Sequence, residues 1–381
     1  MTQRFGADPY ALVYEGRVYL YMTGDTFIRD ENGEVMENVY SQIDRINVIS
    51  SEDLVNWTDH GTVYAAGANG AAPWGKNSWA PAAACKEIDG VMKFFLYFAN
   101  GGNGIAVLEA DSPTGPFTDR LGKPLISRQT PACSDVTWLF DPAVLVDDDG
   151  EAYLYFGGGI PNADMAANPG TARVVQLGGD MQSLRGTPVV IADVPYLFED
   201  SGINKINGRY YYSYCSNFSI PEEQVSSLGF DKGEILVMTS TNPMGPFELV
   251  GPILKNPGWF FGLEGNNHHC MFQFMDQWYM AYHTRILEER MGILQNYRST
   301  SIDSVQIDGN GRISSIQATR EGVAQTQPFY PYCKHKAVTM AAMGGITTTQ
   351  YGEDAVKYGS GEMLLTGISD GSWIQLCGVD F

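Results

Sequence analysis

A chain of 381 residues is too long for one small core and long enough for a large domain with an accessory piece. It is 44% hydrophobic and 12% aromatic, with 43 Gly and 19 Pro, a composition that leans to strands and turns and so to an all-β fold. A formal net charge of −20 argues against nucleic acid and anionic membrane surfaces as partners, since both repel an acidic protein, and leaves a neutral ligand as the easier fit.

In chain order, one pattern returns five times. It starts at Asp8 ("DPYALVYEGRVYLYM"), Ala80 ("APAAACKEIDGVMKFFLYF"), Asp141 ("DPAVLVDDDGEAYLYF"), Glu199 ("EDSGINKINGRYYYSY") and His268 ("HHCMFQFMDQWYMAYH"). Each copy is a short strand, a turn rich in Gly, Asp or Asn, and a second strand heavy in Tyr, Phe and Leu, which spells a β-hairpin. The starts lie 72, 61, 58 and 69 residues apart. Between them, "SSEDLVNWTDHG", "EADSPTGPFTD" and "TSTNPMGPFELV" read as a third strand, a turn and a polar outer strand. About four strands per repeat is the makeup of a propeller blade, so five repeats predict a five-bladed β-propeller over residues 1–325. A sandwich or jelly roll would not give five matched hairpins at near-even spacing, and no extended 3.6-residue period predicts a long helix.

The six cysteines show no C-x-x-C spacing, so neither a zinc site nor a disulfide framework is signalled, and most are predicted to be buried free thiols of a reducing compartment. No apolar run reaches membrane-spanning length. The N-terminus "MTQRFGADPY" has no h-region, which predicts a cytoplasmic protein, with a mature secreted form as the other reading.

In a propeller the innermost strand of every blade runs beside the central channel, so the first residues of the repeats should converge there. Taken singly, Asp8 or Asp141 before proline is most simply a turn, Glu199 a surface acid and His268 a satisfied core histidine. Taken together, three carboxylates and an imidazole at one axis would repel and desolvate one another, a cost that points to chemistry. Glycoside hydrolysis needs two carboxylates, one of them kept protonated, and a third can raise the pKa of that acid. A metal site is the competing reading, because carboxylates from separate blades also suit Ca²⁺.

These pieces resemble glycoside hydrolase family 43, whose fold is a five-bladed propeller. The matching stretches are "GADPY", "WAPAA" with Trp79, "FDPAVLVDDDGEAYLYFGG", "LFEDSGINKINGRYYYSY" and "EGNNHHCMFQFMDQWYMAYH". The resemblance implies Asp8 as the general base, Glu199 as the general acid and Asp141 as the residue that raises the pKa of Glu199. It implies inversion, with base and acid roughly 6.5–9.5 Å apart. It also implies sugar contacts from Trp79, Phe140, Asn267, His268 and Arg298. His268 matches an axial histidine that faces a channel ion, usually calcium with waters.

From residue 326 the composition changes. "QTQPFYPYCKHK" reads as a linker, and the stretch ending "GSWIQLCGVDF" resembles the opening strands of a family 6 carbohydrate-binding module. Residues 326–381 are too few for that β-sandwich, so they are predicted to pack on the propeller as an incomplete, sandwich-like appendage, with Trp373 in a core role. The pairing resembles the arabinoxylan-directed members of the family. It implies an exo-acting α-L-arabinofuranosidase on arabinoxylan or its oligosaccharides, with β-xylosidase as runner-up. A non-catalytic sugar-binding propeller and a purely structural one are the rivals from other classes.

Overall fold

The structure is a computed structural model that describes residues 4–352 and 362–381. Part of the C-terminal appendage foreseen from the sequence, residues 353–361, lies outside the described residues, as do residues 1–3 at the start of the propeller. Four four-stranded units and one three-stranded sheet make up the propeller. The first blade holds strands Ala7–Tyr14, Arg17–Thr23, Arg45–Ser51 and Trp57–Tyr64. The second holds Trp79–Ile88, Val91–Ala99, Gly104–Ala110 and Ile126–Ser127, and the third Ala143–Val146, Ala152–Phe156, Arg173–Leu177 and Leu184–Val190. The fourth holds Leu197–Ile206, Arg209–Ser216, Ile235–Ser240 and Glu248–Leu254, and the fifth His269–Phe274, Gln277–Thr284 and Ser299–Val305. Every ladder is antiparallel, and the five innermost strands adjoin in a closed ring.

The hairpins form where the sequence places them. Glu15-Gly16, Asp89-Gly90 and Asn207-Gly208 form two-residue turns with both φ angles positive, the geometry that matches strand twist and favours Gly at the second place. The unbroken aromatic runs follow from burial on both faces of each blade. In "FFLYF", Phe94, Leu96 and Phe98 pack towards the first blade, while Phe95 and Tyr97 pack towards the third. In the same way Tyr155 and Tyr212 fill the space between the third and fourth blades, and Leu20, Ile49, Phe272 and Tyr279 that between the fifth and the first.

The fifth blade departs from the four-strand expectation. After Val305 the chain forms a loop closed by the Ile307–Ile313 bridge. Asp303 holds that return by accepting from the Thr319 N–H at 3.0 Å and hydroxyl at 2.7 Å, so side-chain bonds take the place of an outer strand.

The C-terminal segment does pack on the propeller. Thr339–Met340 adds a fifth strand to the first blade beside Trp57 and Thr58, and Val338, Met340 and Met363 are buried together. Thr348 donates to Asp59 at 2.6 Å, and Asn56 both donates to and accepts from the backbone of Cys377. The rest is two short two-stranded ladders, Ala342–Gly344 with Trp373–Gln375 and Thr347–Tyr351 with Glu362–Thr366. Trp373 is 50% exposed rather than core, because among the described residues no second layer covers its two-stranded ladder. All six cysteines are free, and three of them (Cys133, Cys215 and Cys270) are buried. Among the described residues no helix is long and apolar enough to cross a membrane.

Candidate active site

The inner strands of the first, second and fourth blades open with an irregular step. Register jumps between Ala7 and Tyr10, between Trp79 and Ala82, and between Leu197 and Gly202. Asp8, Ala80 and Asp141, each before a proline, have φ of 47°, 41° and 49°, and Asp200 has φ of 71°. Non-glycine residues avoid this region, so four blades hold strain at the same point of the channel. The fourth blade corrects the expected register. Asp200, not Glu199, is the counterpart of Asp8, Ala80 and Asp141, because the bulge sets two consecutive acids at this strand's start. Glu199 nevertheless lines the cavity, and Asp200 does not.

That cavity, of about 700 Å³, lies at one end of the channel. Asp8, Asp141, Glu199, His268, Arg298, Trp79 and Phe140 all line it. All three carboxylates are buried, and their partners differ. Asp8 Oδ1 lies 3.2 Å from Arg298 Nη1, 3.0 Å from His283 Nδ1 and 3.7 Å from His268 Nδ1. Burial alone would push its pKa up, but Arg298 with the two imidazoles outweighs burial and holds it well below the usual carboxylate range. Glu199 is the opposite case. Burial, then the neighbouring Asp141, Asp8 and Asp200, push it well above the ordinary glutamate value, and its Oε1 has no hydrogen-bond partner.

Asp141 is also pushed up, first by burial and then by Asp8. The two groups titrate as a pair. The shared proton belongs on Glu199, because Asp141 Oδ2 accepts the Asp200 N–H at 2.9 Å, a bond that favours the ionised form. The site therefore holds an ionised carboxylate and a carboxylic acid over one cavity, the pair that hydrolysis by inversion requires.

The remaining foreseen residues fall into three groups. Trp79 is half-buried and fixed by its indole N–H donating to Tyr40 O at 2.9 Å, while Phe140 packs edge-on to Trp138 at 5.2 Å. Arg298 is clamped by Asp25, which accepts from Nε at 3.1 Å and Nη2 at 3.0 Å, and its guanidinium stacks 4.3 Å from the Tyr40 ring centroid. Asn267 does not line the cavity. It is fully buried, its amide donating to Gly233 O at 2.9 Å, and Asn266 stands at the wall instead.

His268 bears on the foreseen ion. Its Nε2 lies 3.1 Å from Asp200 Oδ1, and its Nδ1 faces Asp8 and Asp141 at 3.7 and 3.8 Å. Both ring nitrogens are thus engaged by carboxylates. Among the described residues no group of three His, Cys, Asp or Glu side chains is arranged to hold a metal. A hard cation that prefers six to eight oxygens finds no such protein set here.

Several residues beyond the foreseen set complete the site. Asp25 and His283 come from the second strands of the first and fifth blades or just beyond. Tyr40, Asn103, Arg128, Trp138 and Phe198 come from loops and strand starts around the mouth. Phe198 and Asp200, on either side of Glu199, and His283, the last residue of the fifth quoted stretch, lie inside recognised motifs, and Trp138 lies three residues before Asp141.

A sequence model of the family described as "Glycosyl hydrolases family 43" matches residues 1–313. An arabinoxylan arabinofuranohydrolase of Paenibacillus polymyxa is 51% identical over 393 residues, covering 100% of this chain and 60% of that relative. This chain therefore spans less than two thirds of that relative's length. A crystal structure of a family 43 arabinoxylan arabinofuranohydrolase from Bacillus subtilis, in complex with cellotetraose, is 46% identical and superposes with a TM-score of 0.90 over 98% of this chain and 78% of that one. A protein of Bacteroides ovatus named xylosidase/arabinosidase is 29% identical over 83% of this chain and 96% of its own.

Proposed function

Since the chain belongs to glycosyl hydrolase family 43, we propose that it is an inverting, exo-acting α-L-arabinofuranosidase that removes arabinose from arabinoxylan or its oligosaccharides. The observation that carries this reading is the opposite setting of two buried carboxylates on one cavity, Asp8 paired with Arg298 at 3.2 Å and Glu199 with its Oε1 unpartnered, which favours an ionised Asp8 and a protonated Glu199. Asp8 takes a proton from water as the water oxygen attacks the anomeric carbon. Glu199 gives its proton to the departing glycosidic oxygen as the C–O bond breaks. Asp141 keeps that proton on Glu199 through its charge, and Arg298, held by Asp25, keeps Asp8 ionised and aimed. Trp79 and Phe140 wall the sugar, and no step runs through an ion at His268.

The arabinose preference draws support from the names of the Paenibacillus polymyxa and Bacillus subtilis relatives. β-Xylosidase activity is the second reading, favoured by the Bacteroides ovatus relative and by the similar shape of the two pentoses. Product analysis by NMR and chromatography from time zero, on arabinoxylan oligosaccharides, separates them. Arabinose released first as the inverted anomer is the expected result. Xylose from chain ends would move the assignment to β-xylosidase, and binding without release would leave a sugar-binding propeller.

A further inference from the structure

A second cavity, of about 760 Å³, adjoins the first and takes no part in the chemistry above. The two share a wall. Phe198 lines the catalytic cavity and meets Phe218, which lines the second, with ring centroids 5.6 Å apart and planes at 90°. The loop Glu264-Gly265-Asn266 gives its first two residues to the second cavity and its third to the catalytic one. Gly233 closes the wall. A Cβ there would meet Phe218 at 2.7 Å and Asn256 at 2.7 Å, and its carbonyl holds Asn267.

The second cavity pairs exposed aromatic faces with polar groups. Trp259 is 71% exposed and Phe218 is 43% exposed, both facing the same space. The Lys255 ammonium stands 3.8 Å from the Trp259 ring centroid, over one face of the indole, and 3.7 Å from Glu234, which pins the ring while most of its surface stays exposed. Asn256, Glu222, Asp231, Glu264 and Lys232 add further polar groups to the lining. An open indole ringed by carboxylates, an amide and ammonium groups suits the C–H face and hydroxyls of a neutral sugar ring. With Trp138, 5.2 Å from Phe198, the aromatic row runs from the catalytic cavity out to this space.

We infer that the Trp259 cavity is a remote subsite that binds pyranose units of a polymeric substrate beyond the glycosidic bond being cleaved. The inference rests on the proposed function, because continuity with the catalytic cavity is what names the occupant. It commits to the polymer over short oligosaccharides as the preferred substrate. A neutral ring is favoured over an anionic one because four carboxylates against two ammonium groups line the space.

The test compares the full chain with its Trp259→Ala variant on polymeric arabinoxylan and on 4-nitrophenyl α-L-arabinofuranoside, which cannot reach the subsite. The polymer-to-aryl-glycoside ratio of kcat/KM should fall about threefold to tenfold, mostly through KM, as loss of one aromatic stack implies. An unchanged ratio overturns the subsite, and so does an equal loss on both substrates, which would mark Trp259 as structural. Calorimetric binding of xylohexaose to Glu199→Gln, with and without Trp259→Ala, reads the subsite without turnover. Weaker binding only with Trp259→Ala supports it even if the arabinofuranoside is not a substrate, in which case the proposed function fails and the subsite does not.

Discussion

The two ends of the central channel are built from the same five inner strands and differ in almost everything else. At the catalytic end, Asp8, Ala80, Asp141 and Asp200 hold positive φ, three carboxylates share one cavity, and Glu199 Oε1 is buried without a partner. At the other end, Tyr10, Leu12, Val144, Ile203 and Met271 line a cavity of about 440 Å³ on regular ladders. Of its two carboxylates, Asp148 is exposed and Asp147 is closed by Lys205 and the Tyr210 hydroxyl. One scaffold thus has an end that satisfies its polar groups and an end that leaves them strained and open. Strain and orphan atoms gather where substrate is to complete the bonding.

Neutralising the open end should break the contrast most. Glu199→Gln is expected to lower kcat by roughly 10²–10⁴-fold, and Asp8→Asn similarly, with the fold kept. A fully active Glu199→Gln enzyme would remove Glu199 from the acid role. The pH dependence has a definite sign. The raised pKa of Glu199 means that the folded state keeps a proton the unfolded chain releases. Its contribution to stability is therefore greatest at or below the ordinary glutamate pKa, and it is lost as pH rises towards the raised one. Activity should fall on the alkaline side as the same proton leaves, while Asp8, held low, should leave the mildly acidic side flat. Glu199→Gln should then show a higher Tm than the native chain at neutral pH and a smaller fall in Tm from pH 5 to 8.

A smaller effect should come from the support of the base. Asp25 has a fully buried side chain that accepts three bonds from Arg298. Asp25→Asn should lower kcat about 10- to 100-fold by letting Arg298 and Asp8 drift, with KM changed less than twofold. An equal rise in KM would instead mark Asp25 as part of sugar binding.

Much of this architecture was legible in the sequence, for physical reasons. Hairpins announce themselves because "EG", "DG" and "NG" turns sit between strands that are buried on both faces. The register of the fourth blade was not legible, because a bulge breaks the two-residue alternation that places side chains, and Glu199 and Asp200 are both acids. Asp25 and Arg298 are 273 residues apart, and only ring closure brings them together. Asn266 and Asn267 are adjacent and chemically identical, so only the backbone decides which one meets the cavity. The missing outer strand of the fifth blade left no mark, since polar edge strands and polar loops read alike.

The C-terminal segment offers a third comparison, a region that closes a blade rather than a channel. Removing residues 326–381 strips the added strand from the first blade and exposes the surface that Val338, Met340 and Met363 cover. Losing three buried apolar side chains should lower Tm by more than about 5 °C. An unchanged Tm would make the segment a passenger.

The smallest effect should come from the satisfied end of the channel, and it is the sharpest check on the contrast. Lys205 pairs with Asp147 and lies 2.8 Å from Asp148, an exposed partner that contributes little. In Lys205→Met the Asp147 carboxylate keeps the Tyr210 hydroxyl and the Asp148 N–H at 2.7 Å, so no buried charge is left bare. Tm should fall by about 1–2 °C, and kcat and KM should hold. A tenfold loss of kcat would mean that the two ends are coupled along the inner strands. The strain at Asp8 and Asp141 would then depend on the whole channel rather than on the bulges that carry it.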